Sequence, residues 1–449
     1  MPIIKKILSS GGIGTGYFIV KVTDDTTPGS QANPRLALDS ESNIVLSVNG
    51  YQNNTQKSAL IKMDSVGDLT WANIVTHYQL NDQYGIAVDS QDRIITAYSR
   101  DGTTNASFFR FLSDGTEDVQ YFLQSWTSDA QQIMLIESDV LYHSEGYIQG
   151  HYWYATDVSG SSFSGAPTWF RREIDMLTEW FVHGFAVDST YLYSYGRVGA
   201  LSGRHLRLEG VPKSTGDTST GTAKKITFSG YTYPGCDVQE GGLVLDGSGN
   251  VYIGASASND DVYSDTVLLA KLDPIGSGFT QSWCVTLDYS NRNKLNGAAV
   301  CLDSTGLVHL VAHVTNDGGN SGIFVETFNA SGVFQREYII QLNGATSYSV
   351  AQALVDDAND LHITAMIYDG SYNRAFVIKI PCNYTNFTTG TRGSYILTYN
   401  TSSTFTLGTA TATIVADTFN STSLSYNFQT DSTSTVTTST TTELVEQYL

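Results

Sequence analysis

Charge is what this sequence has least of. Asp, Glu, Lys and Arg make up 15% of its 449 residues, against about a quarter in an ordinary soluble domain. The polar surface therefore has to be built from Ser, Thr, Asn, Gln, Gly and Tyr. Basic charge is scarcer still, with 24 Lys and Arg against 44 Asp and Glu and a formal net charge of -20. Such a surface repels phosphate backbones and anionic lipid, which argues against nucleic acid and membrane as partners. No apolar run approaches the length of about 20 residues that spans a bilayer as a helix. The first ten residues set lysines inside a short apolar stretch and lack the long apolar region and small-residue cleavage site of an export signal. Cysteine is confined to Cys236, Cys284, Cys301 and Cys382, with no CxxC spacing, and these are expected to be buried thiols of a reducing compartment.

What is abundant points to strands. The 27 Tyr and 41 Gly suit extended segments and tight turns rather than helices. A short apolar run ending in a carboxylate recurs along the chain: Leu36-Ala-Leu-Asp39, Ile86-Ala-Val-Asp89, Phe185-Ala-Val-Asp188, Leu243-Val-Leu-Asp246, Val300-Cys-Leu-Asp303 and Ala353-Leu-Val-Asp356, with a weaker copy at Met134-Leu-Ile-Glu137. The marker carboxylates are 50, 48, 51, 58, 57 and 53 residues apart, a period that signals a repeat architecture. The first unit reads as four strands, at residues 35–39, 44–48, 59–63 and 70–75, each bounded by Gly, Asn, Asp or Ser. Four antiparallel strands per unit make one propeller blade. The second half of the unit repeats too: Leu268-Leu-Ala-Lys-Leu-Asp-Pro-Ile-Gly276 copies Ala59-Leu-Ile-Lys-Met-Asp-Ser-Val-Gly67, and Trp283 follows as Trp71 does. Trp180 is expected in the same outer-strand place of the third unit, covering the gap between blades.

These hairpins resemble the bacterial seven-bladed propeller repeat family, whose units join a GIAVDSxGNVYVTG-like hairpin to an AFVAKLDPxGxxxW-like one. Residues 85–97 and 242–254 match the first, and residues 268–283 the second. The resemblance spans about residues 30–380 and implies a scaffold rather than a reaction. The expected fold is thus all-β: a seven-bladed propeller over residues 31–382, preceded by a lead-in and closing strand in residues 1–30. An eighth blade made from residues 17–30 and 394–415 is the alternative. Residues 383–449 are poor in charge and rich in Thr, Ser and Asn. They are expected to lie on a partner, serving docking or oligomerisation, or on their own ring, or to stay without order.

The long B–C and D–A connections are the expected recognition side, because variable loops on a regular scaffold carry binding. The largest B–C loop is placed at residues 149–168 and carries the aromatic cluster His151, Tyr152, Trp153 and Tyr154. Tyr51 and Asn53, in the polar loop of the first unit, join it as ligand-binding candidates. Asp39, Asp89, Asp188, Asp246, Asp303 and Asp356 are expected to hold their own turns by accepting backbone N–H groups. Calcium is the one cofactor the spacing leaves open, at Asp246 with Asn250 and at Asp356 with Asp360, although neither loop closes with the Glu of a twelve-residue calcium motif. His309 and His313 fall on a strand, roughly 13 Å apart, too far to share an ion. Residues 12–16 are glycine-rich but lack a phosphate-loop Lys, no GxSxG elbow is present, and the match of residues 64–71 to a sialidase turn has the wrong Asp–Gly spacing. No catalytic residue is therefore assigned.

Low charge, Thr/Ser/Asn/Gly/Tyr-rich composition and a strand-like terminus resemble bacteriophage fibre and appendage proteins. The expected role is a non-enzymatic virion structural or adhesion protein that binds host-surface glycan or protein, contacts other virion proteins through its C-terminal extension and forms a homo-oligomer. A polysaccharide-acting glycosidase or lyase, and a bacterial surface propeller binding glycan or protein, are the alternatives.

Overall fold

The structure, a computed structural model, describes residues 2–7, 17–24, 32–50, 57–76, 80–100, 105–124, 131–147, 150–160, 168–173, 180–198, 205–217, 220–231, 233–235, 241–258, 266–275, 278–289, 295–315, 317, 320–368, 370–382, 390–392, 395–416, 421–423, 428–430 and 435–438. Among them the regular elements are strands, arranged in seven antiparallel sheets. The chain opens with β1 (Pro2–Ile7) and β2 (Phe18–Asp24). Blade 1 follows as β3 (Ala32–Leu38), β4 (Ile44–Asn49), β5 (Lys57–Met63) and β6 (Leu69–Thr76). Blade 2 is β7 (Leu80–Val88), β8 (Ile94–Arg100), β9 (Asn105–Phe111) and β10 (Glu117–Gln124). Blade 3 is β11 (Gln131–Glu137), β12 (Val140–Tyr147), β13 (Gly150–Asp157) and β14 (Trp169–Glu173). Blade 4 is β15 (Trp180–Val187), β16 (Tyr191–Val198), β17 (His205–Pro212) and β18 (Thr222–Phe228). In blade 5 the inner strand is split into β19 (Tyr233–Gly235) and β20 (Leu243–Leu245), both paired with β21 (Val251–Ser258), before β22 (Thr266–Ile275) and β23 (Gly278–Asp288). Blade 6 is β24 (Leu295–Leu302), β25 (Val308–Val314), β26 (Gly322–Phe328) and β27 (Phe334–Leu342).

Blade 7 needs both halves of the chain. β28 (Ser347–Val355), β29 (Asp360–Tyr368) and β30 (Asn373–Pro381) supply three strands, and β2 completes the blade by pairing Phe18–Lys21 against Phe376–Lys379, with β1 outside it. The ring is therefore closed by seven blades of four strands, with residues 18–24 in the last of them. The eight-bladed alternative is overturned, since residues 18–24 and 395–416 join different sheets.

The remaining C-terminal strands form a belt. β31 (Gly390–Arg392) and β32 (Tyr395–Asn400) extend blade 6, with β32 against β27, and β33 (Thr406–Thr409) extends blade 5. β34 (Ala412–Ala416), β35 (Ser421–Ser423), β36 (Phe428–Thr430) and β37 (Thr435–Thr438) extend blades 4, 3, 2 and 1 in turn. The tail thus runs round the ring against the order of the blades. Its last three strands begin seven residues apart, at Ser421, Phe428 and Thr435. With β1 on blade 7, the outermost ring strand of every blade gains a fifth neighbour from a chain terminus. An uncovered outer strand is a row of unpaired N–H and C=O groups open to foreign strands. Thr-rich, weakly charged sequence suits such a cover, because β-branched side chains favour extended backbone without demanding a core. Among the described residues, the buried apolar side chains Leu397, Phe405 and Ala410 pin the belt. Phe405 packs edge-on against Phe324 at 5.0 Å and Tyr289 at 5.8 Å.

Strand periodicity builds the core. On β4, Ile44, Leu46 and Val48 pack with Val20, Phe18 and Val377 between blades 1 and 7, while Val45 turns to Ile86, Ile94 and Phe109 of blade 2. Each blade is apolar on both faces, so neither survives without its neighbours. Adjacent blades are also keyed together at their outer corners. Trp71, Trp169 and Trp283 each lie on a glycine of the next blade (Gly115, Gly216, Gly332) and donate the indole N–H to a carbonyl beside it: Ser113 at 3.0 Å, Lys213 at 2.8 Å and Ala330 at 2.9 Å. Phe18 covers Gly67 in the same way where blade 7 meets blade 1. The blade 3 copy corrects the sequence reading: Trp180 opens the inner strand β15, and Trp169 on β14 takes the expected outer place.

At Gly115 φ is +86°, and an added Cβ would stand 2.8 Å from the Trp71 ring. Gly115→Ala therefore combines a left-handed backbone with a clash against a ring that is itself hydrogen-bonded. A loss of about 2–4 kcal/mol is expected, read as a lower denaturation midpoint with unchanged slope.

Candidate binding surface

The marker carboxylates hold turns. Asp39 accepts N–H groups of Glu41 (3.0 Å) and Asn43 (2.8 Å), and Asp356 those of Ala358 (3.0 Å) and Asp360 (2.8 Å). Asp89, Asp188, Asp246 and Asp303 repeat the arrangement at their own turns. The second oxygen varies in its partner: Lys62 at 2.8 Å and Asn43 at 2.9 Å for Asp39, Arg93 for Asp89 at 2.7 Å, Tyr193 for Asp188 at 3.1 Å, Asn250 for Asp246 at 2.8 Å, and a histidine for both Asp303 (His309, 3.3 Å) and Asp356 (His362, 2.9 Å). Burial alone would raise Asp39, but Lys62 and the turn donors outweigh it and hold the group below its ordinary value. The same turns clasp one another across blades. Ser40 gives its N–H and hydroxyl to the Asp92 carboxylate at 2.8 Å each, Ser90 does so with Asp139 at 3.1 and 2.9 Å, and Ser304 exchanges hydrogen bonds with Asn359 at 2.8 and 2.6 Å. The acceptors Asp92, Asp139 and Asn359 sit at φ of 59–64°, a conformation Asn and Asp adopt more readily than other side chains.

Two positions considered for calcium are filled by the chain's own donors. Asp246 receives the Asn250 amide N–H, and Lys379 lies between Asp356 and Asp360 at 3.6 and 3.1 Å. His309 and His313 both lie on β25, and both are buried.

The expected recognition cluster is placed differently. Residues 150–157 form strand β13 rather than a loop, so the B–C connection of blade 3 shrinks to residues 148–149 and the long connection is C–D, from residue 158 to 168. Trp153 and Tyr154 are 4% and 2% exposed, packed into the cores on either side of blade 3. They are core residues, not contacts. The His151 and Tyr152 side chains lie outside the described residues, as do Tyr51 and Asn53. The C–D connection of blade 3 is pinned from blade 2, where Arg110 donates to the Val158 and Gly160 carbonyls at 3.0 and 2.8 Å and Arg93 to Val158 at 2.6 Å.

Blades 4 and 5 leave a cleft on that same turn side, which the sequence reading did not single out. It has a volume of about 240 Å³ and is lined by Tyr191, Tyr193 and Phe279, with Thr220, Thr222 and Pro274 at its rim. The Tyr193 and Phe279 rings meet edge-on at 6.2 Å, and Tyr191 and Tyr193 are tilted at 6.1 Å. Tyr193 is fixed by its hydrogen bond to Asp188, and burial together with that carboxylate pushes its phenol well above the ordinary range. Aromatic faces beside threonine hydroxyls suit a ligand with alternating C–H and O–H surfaces.

On the opposite side of the same two blades lies a polar cup of about 260 Å³, lined by Tyr231, Tyr289, Thr266 and Asp288 and closed by Thr409 of the belt. Asp288 accepts the Thr266 hydroxyl at 2.6 Å and the Tyr231 phenol at 3.4 Å. The belt passes so close that a Cβ on Gly408 would stand 2.6 Å from the Thr286 hydroxyl.

No family model matches the chain, and no curated protein matches it; the likeness to the propeller repeat family rests on the hairpin motifs. Among solved structures, the chain is similar to an exo-β-1,3-galactanase from Clostridium thermocellum, with 9% identity, 76% of this chain and 90% of that one covered, and a TM-score of 0.24. A likeness of that size carries no functional argument.

Proposed function

We propose that the protein is a non-enzymatic structural and adhesion component of a virus particle, a bacteriophage tail or capsid appendage that presents its propeller to host-surface glycan or to a partner protein. The belt is the observation that carries this reading. An appendage works outside the cell, at high local copy number, with no chaperone to rescue it. A ring whose outermost blade edges are all covered by its own termini resists edge-to-edge pairing between copies under those conditions. The surplus of 20 acidic charges, on a surface otherwise of hydroxyls and amides, keeps such copies apart from one another and from the packaged genome. The cleft of Tyr191, Tyr193 and Phe279 is the binding place we assign to the glycan.

The enzymatic alternative requires an acid pair facing a substrate. Glu326 and Glu337 are directly opposite on β26 and β27, but both are fully buried and capped by the belt, which favours a structural role for them.

Antibody labelling of purified particles tests the assignment. Label on tail or capsid is expected; particles without label from cells rich in the protein would overturn it. Phe279→Ala is expected to weaken binding of the purified protein to host cells at least tenfold, since an aromatic anchor carries about 2 kcal/mol or more. Undiminished binding would remove the cleft from the proposal.

A further inference from the structure

The junction of blades 6 and 7 brings a thiol up to one of the marker carboxylates and its histidine. Asp303 Oδ2, His309 Nε2 and the Cys382 thiol lie within 4.8 Å of one another, and all three residues are buried. We propose that these three residues bind a zinc ion.

Comparison of the blades supplies the reason. In blade 7, His362 faces Lys379 across β29 and β30, and the Lys379 ammonium brings a cation to within 3.6 Å of the marker Asp356. In blade 1, Lys62 does the same for Asp39 at 2.8 Å. In blade 6 the register is repeated, with His309 facing the residue on β26, but that residue is Thr327. The marker Asp303 thus has no lysine in that place. What stands beside it instead is an imidazole and a thiol, the ligand types that zinc prefers.

The distances agree. Both marker carboxylates are hydrogen-bonded to their histidines, but Asp303 Oδ2 and His309 Nε2 stand wider apart, at 3.3 Å, than Asp356 and His362 at 2.9 Å. Two ligand atoms at zinc bond lengths of about 2.0–2.1 Å in a tetrahedron are separated by about 3.3 Å. The outer partners are in place as well. Asp303 Oδ1 is held by the N–H groups of Thr305 and Leu307 at 2.9 and 3.0 Å and by the Thr305 hydroxyl at 2.6 Å, so Oδ2 meets only the His309 ring among the described residues, a contact the ion would replace. His309 Nδ1 is 3.1 Å from the Thr327 hydroxyl, which fixes the ring with Nε2 inward. Such second partners orient a ligand and raise its affinity. The Arg336 guanidinium, the nearby cation, is drawn onto the Cys382 carbonyl. On binding, the Cys382 thiol gives its proton to solvent and its sulfur to the metal, and water takes the fourth position. The ion would tie the C-terminal end of β30 to the A–B turn of blade 6, beside the place where the N-terminal strand closes the ring.

The test uses the full-length chain, stripped with chelator, given zinc chloride and dialysed. One zinc per chain is expected by elemental analysis. Cobalt in its place is expected to give a thiolate-to-metal charge-transfer band. Cys382→Ser should abolish that band and lower zinc affinity at least tenfold. Thr327→Lys should expel the ion while preserving the fold, because it recreates the blade 7 arrangement. Failure of the wild-type chain to retain zinc, or equal retention by both variants, would overturn the proposal.

Discussion

Deletion of residues 390–449 is expected to make the ring prone to aggregation without erasing its β-structure. The four-stranded blades keep their two-sided cores, because those cores lie between ring strands such as β4, β5, β8 and β9. What is lost is the cover on blades 1 to 6 and the burial of Leu397, Phe405 and Ala410. The Leu and Phe side chains alone are worth about 1.5–3 kcal/mol each. Six unprotected outer strands then face solvent, each a template for a strand from another copy. Circular dichroism should remain that of a β-protein, the melting temperature should fall by several degrees, and light scattering should show assembly that grows with concentration. A truncated chain that stays monomeric and melts with the full-length protein would mean that the belt covers nothing of consequence.

The second large effect is a dependence on alkali. Glu326 and Glu337 are opposite one another on β26 and β27, and both are fully buried. Glu337 is fully engaged by the belt: Asn400 Nδ2 donates to it at 2.6 Å, the Thr404 hydroxyl at 2.7 Å and the Thr404 N–H at 2.9 Å. Glu326 Oε1 accepts the Ser403 hydroxyl at 3.0 Å, while its Oε2 has no donor among the described residues. A proton on Glu326 resolves the geometry, since the pair then shares one hydrogen bond and one charge. Burial, and then the Glu337 carboxylate, push Glu326 up from 4.5 to about 10. The folded chain therefore holds a proton that the unfolded chain releases between those values. Stability is fully present below about pH 4.5 as far as this group is concerned, and is lost as pH rises toward the folded value. Glu326→Gln keeps an N–H for Glu337 and an oxygen for Ser403 and cannot ionise. It is expected to flatten the decline and to be more stable than wild type at about pH 9, by on the order of a few kcal/mol. Urea titrations across that range provide the measurement; parallel pH profiles for the two chains would place the proton elsewhere.

These two results meet at one place, since the acid pair lies under Asn400, Ser403 and Thr404. Ionisation of Glu326 should loosen the belt where it first leaves blade 6.

The ring was legible in the sequence because its signal is local. An Asp that accepts the N–H groups two and four residues on writes itself as apolar run, Asp, turn and apolar run in blades 1, 2, 5, 6 and 7, and a variant of it in blade 4. Trp71 and Trp283 could be matched for the same reason, being a few residues past a turn glycine. Blade 3 was misread where the local signal failed: Ile148 and Gln149 are not turn-type residues, so β12 and β13 were not divided there and the strands slipped by one. The belt left no such trace. Its strands have three to six residues, few apolar positions, and partners in ring strands far away in the chain, so nothing nearby declares their register. The cleft was hidden likewise, for Tyr193 and Phe279 read as ordinary strand residues until blades 4 and 5 bring them together. Asp303, His309 and Cys382 were each visible, but only the meeting of two blades makes them neighbours.

The account stands on a C-terminal tail that circles its own ring from blade 6 back to blade 1. Cysteine pairs at both ends of the path test this most directly: Leu397 with Ile340, and Val436 with Val75, which are opposite in register. With the native cysteines replaced and the chain oxidised under dilute conditions, peptide mapping should find both links within single chains, and the doubly linked species should remain a monomer. Links found only between chains, or no link at Val436, would show that the tail does not close on its own propeller.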